Sequence, residues 1–150
     1  MSKKTVLGLT LLVSIAALLS GCSNAFTPTE IKKGSVWEVK QMMSSSNDLK
    51  ELPVTKKVYG EEIMVKKAFL CFHSNGFVYQ KFIGEGLSDG KSEVINGEGR
   101  YTISTVGKTI VIGKDKKVFS YTLEGGELTI RRDGRIIGVY KSSSEPEFTF

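Results

Sequence analysis

KVFSYTLEGGELTIRRDGRIIGVYK, residues 117–141, decides the fold. Phe119, Tyr121 and Leu123 alternate with Val118, Ser120 and Thr122, and Leu128 and Ile130 alternate with Thr129 and Arg131. A period of two belongs to strands. Gly125-Gly126 and Asp133-Gly134 separate the segments, and both pairs take the positive backbone angles of a tight hairpin. Arg135 to Lys141 returns as a third strand. Strands joined by such short turns pair with their sequence neighbours, so this stretch is an antiparallel meander.

The same pattern extends upstream. Thr109 to Ile112 follows a turn at Gly107-Lys108, and Gly99 to Thr105 puts Tyr101 and Ile103 on one face. Lys66 to His73 and Phe77 to Ile83 flank Ser74-Asn75-Gly76, a further hairpin signal. Ser35 to Lys40 alternates Trp37 and Val39 against Glu38 and Lys40, and Val54 to Tyr59 or Glu62 to Val65 adds another strand. Met42 to Asp48 reads as a loop, and Gly84 to Gly97 as a longer one, suited to a lid or a partner contact. Thr27-Pro28-Thr29-Glu30 has the form of a capping box, predicting a short helical turn that runs to Lys33 and stops at Gly34.

About eight strands in a meander leave two unpaired edges unless the sheet closes. The expected fold is therefore all-β: a single antiparallel up-and-down barrel, or a strongly bent meander, over residues 34–141. Read as about five to eight residues long, the strands fall short of the roughly 9–11 residues that cross a bilayer, an expectation that disfavours a transmembrane barrel. Residues 142–150 read as a C-terminal tail. The inward candidates are Trp37, Val39, Phe69, Phe77, Tyr79, Tyr101, Ile103, Phe119, Tyr121, Leu128, Ile130, Ile137 and Val139. Their bulk leaves a filled core and a ligand cavity both open, with size favouring the filled core.

The composition agrees with one domain. The chain has 150 residues, of which 40% are hydrophobic and 25% charged, with 16 Gly and 3 Pro. That excludes a multidomain enzyme and a disordered chain. Two cysteines cannot make a disulfide framework. The N-terminus carries Lys3 and Lys4 and then an uncharged stretch from Thr5 to Leu19, which has the pattern of a secretory signal. Leu19-Ser20-Gly21-Cys22 resembles the bacterial lipobox. That resemblance implies a signal peptide over 1–21, a diacylglycerol thioether on Cys22, and a lipidated tether with the short helix over 22–33. It further implies a bacterial cell envelope location, at the outer membrane if the organism has one, because Ser23 follows the cysteine and Asp does not. Without Lys3 and Lys4 the net charge falls from +5 to +3, too mild for a nucleic-acid partner. Lys114, Lys116 and Lys117 around Asp115 read as a solvated turn.

Gly34 and Trp37 ahead of an antiparallel meander resemble the lipocalin superfamily, and especially its compact bacterial lipoproteins. Gly99-Arg100-Tyr101-Thr102-Ile103, Tyr121-Thr122-Leu123 and Glu127-Leu128-Thr129-Ile130 are similar to strand motifs of that group. The family implies a membrane-anchored, non-enzymatic lipoprotein binding a small apolar or amphipathic ligand, with Trp37, Phe77, Tyr79, Tyr101, Phe119 and Tyr121 as contact candidates. The alternative is an envelope interaction module, an inhibitor or assembly partner, built on a filled barrel.

No catalytic constellation supports an enzyme, and no cofactor or metal is expected. Cys71 and His73 share a strand face, but no third ligand or orienting carboxylate has recognisable spacing. Glu61 and Glu62 are adjacent, which on a strand sends them to opposite faces. Ala68, Phe69, Leu70 and Phe72 make both faces around Cys71 apolar, predicting a strand covered by the barrel on one side and by a helix or loop on the other.

Overall fold

The computed structural model describes residues 27–150. The expected signal peptide, Cys22 and the tether up to residue 26 lie outside the described residues. Ten antiparallel strands follow: β1 (Ser35–Met43), β2 (Leu49–Glu51), β3 (Val54–Val58), β4 (Glu61–Phe72), β5 (Phe77–Glu85), β6 (Glu93–Ser104), β7 (Thr109–Ile112), β8 (Lys117–Glu124), β9 (Glu127–Arg132) and β10 (Arg135–Ser142). Each strand from β4 to β10 pairs with the next, β10 pairs with β1, and β1 pairs with β4 through Trp37↔Leu70 and Ser35↔Phe72. The wall is thus a closed eight-stranded up-and-down barrel in sequence order. Beyond Glu38, β1 and β4 diverge, and the short β2 and β3 line the opening by pairing with β1 and β4 respectively.

Alternation explains most of the interior, and bulges explain the rest. On β4, Ile63 and Val65 face inward with odd numbers, whereas Ala68, Leu70 and Phe72 face inward with even ones. The register shift between Val65 and Lys67 inserts the residue that changes the phase. Phe69 therefore points outward. On β5 the inward residues are Val78 and Phe82, so Phe77 and Tyr79 also face outward, contrary to the expectation for all three. Val139 is buried but does not belong to the interior cluster, which takes Tyr140 from that strand. A register shift between Ile136 and Gly138 is the cause. Gly99 sits where β6 bulges opposite β5, at φ +119°, and a Cβ there would meet the Gly113 backbone at 2.9 Å.

β1, β4, β5 and β6, at 9, 12, 9 and 12 residues, are longer than expected from the sequence, and three segments also differ from expectation. Residues 27–34 bend and turn without a helix. Burial of Ile31 in the interior cluster, with Thr27 and Pro28 close to Gly126, holds this segment across one barrel end. The loop expected from Gly84 to Gly97 shrinks to residues 86–92, because β5 runs on to Glu85 and β6 starts at Glu93. Residues 143–150 are not a free tail. Phe148 is buried with Val36, Phe69 and Cys71, making a second apolar cluster on the outer face of β4. The strap is pinned by Lys81 Nζ on Glu145 Oε1 (3.0 Å), by Ser74 Oγ on Glu147 Oε2 (2.8 Å) and by His73 Nε2 against the Phe148 carbonyl (2.8 Å). This strap is the outer cover that the doubly apolar β4 requires.

Candidate functional site: a one-ended cavity in the barrel

Successive turns alternate between the two barrel ends. At one end Trp37, Tyr121, Leu123, Leu128 and Ile31 pack together, and Trp37 Nε1 donates to Ser35 Oγ at 3.0 Å. At the other end, ringed by the β3–β4, β7–β8 and β9–β10 turns, lies a cavity of about 570 Å³. Its wall includes Val39 and Met42 of β1, Leu70 and Phe72 of β4, Val78 and Phe82 of β5, Ile110 and Ile112 of β7, Phe119 of β8, Ile130 of β9, and Ile137 and Tyr140 of β10. The volume falls within the roughly 300–1,000 Å³ range of small-molecule sites. The barrel is therefore filled at one end and hollow at the other, where residue bulk alone had favoured a filled core.

A few polar groups enter this apolar wall. Lys56 shares a face of β3 with the buried Val54 and Val58, and its Nζ lies 5.9 Å from the centre of the Phe82 ring. Burial lowers its pKa, opposed by the charge of Glu98. Gln80, Asn96 and Glu98 also line the space, and Asn96 Nδ2 donates to Glu98 Oε1 at 2.9 Å. Tyr140 is buried, and both burial and Glu98 push its hydroxyl far above the ordinary tyrosine range. At the rim stand Lys57, Tyr59, Lys114, Asp115, Lys117 and Arg132. The turn read as a solvated lysine cluster thus supplies Lys114 and Lys117 to the mouth. The Tyr59 hydroxyl donates to Asn96 Oδ1 at 3.0 Å, and Ser88 is bonded to Glu61, so the β3–β4 turn is tied to β6 and to the 86–92 loop.

Of the six aromatic contact candidates, Phe119 lines the cavity. Trp37, Tyr101 and Tyr121 belong to the interior cluster but pack away from the space, and Phe77 and Tyr79 lie outside the barrel. Tyr101 donates its hydroxyl to the His73 carbonyl at 3.0 Å, and Phe77 lies under the Arg100 guanidinium at 4.8 Å. Lys56 and Tyr140 are not among the candidates named from the sequence. Lys56 had a signal, its spacing of two from Val54 and Val58, but a lysine in a strand is ordinarily a solvent-facing residue.

Cys71 and His73 both lie against the C-terminal strap. Cys71 is buried beneath the strap, and burial pushes its thiol above the ordinary range. His73 uses both ring nitrogens, with Nδ1 accepting from the Asn75 amide at 3.0 Å and Nε2 engaged with the Phe148 carbonyl. Among the described residues no three His, Cys, Asp or Glu side chains gather as a metal site requires.

Comparison of the chain with protein-family models, with curated proteins and with solved structures returned no match.

Proposed function

We propose that this protein is a lipid-anchored, non-enzymatic binding protein of a bacterial envelope whose barrel holds one small apolar or amphipathic ligand. The observation that carries the reading is the one-ended cavity of about 570 Å³, walled by aliphatic and aromatic side chains from seven strands of the barrel wall and open beside a charged rim. A folded chain that needed only a solid scaffold would gain from filling that space, because each unfilled methyl-sized void costs about 1 kcal/mol. The lipobox-like Leu19-Ser20-Gly21-Cys22 supports the anchor, and Ser23 supports an outer-membrane destination where there is an outer membrane.

Native mass spectrometry of the purified protein tests the binding reading. Release of a lipid-sized small molecule on collisional activation is the expected result. A ligand-free chain that takes up no added amphiphile, or one that co-purifies with a protein partner and an empty barrel, contradicts it. Cys22→Ser tests the anchor separately: the variant should leave the membrane fraction or remain uncut, and a variant still membrane-bound at mature size contradicts lipidation.

A further inference from the structure

An apolar cavity accepts many greasy molecules of suitable size, and its buried polar groups decide among them. Tyr140 is 7% exposed, and its hydroxyl has no hydrogen-bond partner among the described residues. Among the described residues no side-chain nitrogen or oxygen sealed from the solvent is left without a partner, so this hydroxyl looks into the cavity space. Lys56 enters the same space from β3, and among the described residues its ammonium has no carboxylate within 4 Å. The same is true of Lys57, Lys114 and Lys117 at the rim. A half-buried cation whose only near partner is the Phe82 ring favours an anion beside it, and a lysine ammonium can only donate hydrogen bonds. The two carboxylates on the lining are Glu98, which already accepts from Asn96, and Asp115 in the rim turn.

We infer that the ligand is an amphiphile with an anionic head, a carboxylate or a phosphate, recognised by Lys56 with the Tyr140 hydroxyl as a second donor. Its apolar part lies against Phe72, Val78 and Ile110. This assignment rests on the proposed function and adds the charge of the head. The rim lysines steer the anion inward, an attraction that salt screens. Glu98 faces the head with like charge, which makes its removal informative.

The test is a titration of the purified protein with palmitate, a single-chain lysophosphatidate, uncharged hexadecanol and inorganic phosphate. The two anionic amphiphiles should bind about tenfold or more tighter than hexadecanol, the size of a net charge-assisted hydrogen bond. Lys56→Met should erase most of that preference, Tyr140→Phe should reduce it, and Glu98→Gln should tighten the anionic ligands. Lys141→Met, on the outer face, should change nothing. The ratio between palmitate and lysophosphatidate identifies the head. Hexadecanol binding as tightly as palmitate overturns the inference and leaves the barrel a ligand carrier. Weaker anion binding in Glu98→Gln also overturns it, and because Glu98 is exposed this variant stays informative even if Lys56→Met fails to fold. Phosphate alone binding as tightly as lysophosphatidate overturns the amphiphile, and failure of all three amphiphiles overturns the proposed function as well.

Discussion

Phe148→Ala should detach the C-terminal strap and expose Cys71. Phe148 is 5% exposed, packs against Val36, Phe69 and Cys71, and carries the Lys81 ammonium 5.5 Å above its ring. A buried phenylalanine removes on the order of 150–250 Å² from water, which at ~25 cal/mol per Å² amounts to about 4–6 kcal/mol. Core Phe→Ala changes cost about 3–5 kcal/mol. The strap is an edge element that can lift off as a unit, so the loss is capped by its docking energy, and about 2–4 kcal/mol is expected. Two assays read it. Urea denaturation should show the lower midpoint, and thiol labelling mapped by peptide mass to Cys71 should accelerate. If labelling proceeds through local opening, 2–4 kcal/mol corresponds to roughly thirtyfold or more in rate. A stability change below about 0.5 kcal/mol with Cys71 still protected would refute the view that Phe148 covers this face.

Further outcomes follow from the same packing. Trp37, the sole tryptophan, is 1% exposed, so its emission should be blue-shifted in the folded protein, and Trp37→Ala should cost about 3–5 kcal/mol in denaturant titration. Gly84→Ala should destabilise by about 1–3 kcal/mol, because its Cβ would press into the Met64 backbone, which has no rotamer to yield; thermal melting checks this. Burial alone would raise the pKa of Glu147, but its bonds from Ser74 and the charges of His73 and Lys33 outweigh that and hold it below its ordinary value of 4.5. A depressed folded pKa contributes stability above the unfolded value and loses it as pH falls through the folded one. Melting temperature should therefore drop as the solution is acidified below 4.5, and Glu147→Gln should remove part of that dependence.

The barrel was legible because its turns declare themselves. Asn75-Gly76, Gly125-Gly126 and Asp133-Gly134 fall where hairpins were expected, and Phe119, Tyr121, Leu128 and Ile130 keep a strict two-residue phase. Phe69 is misplaced because the bulge on β4 reverses the facing of everything beyond it, and a strand apolar on both faces gives no alternation from which to detect that reversal. Phe77 and Tyr79 sit on the unbroken β5, where apolar residues on both faces leave the inward phase undeclared. The strap was missed because Glu145, Pro146 and Glu147 look like solvated tail chemistry until Lys81, Ser74 and His73 are brought beside them by the β4–β5 hairpin. Cavity volume is a sum over many side chains from strands distant in sequence, and no local pattern reports it.

The ligand cavity is tested most directly by titration with N-phenyl-1-naphthylamine, an uncharged fluorescent probe, on the native protein and on Ile137→Trp. Ile137 is a half-buried side chain on the cavity wall, so an indole there can occupy the space without displacing a packed core. The predicted result is saturable binding of one probe per chain that Ile137→Trp abolishes while the strand signal in circular dichroism is unchanged. Probe binding that fails to saturate, or that survives equally in Ile137→Trp, contradicts a ligand site inside the barrel.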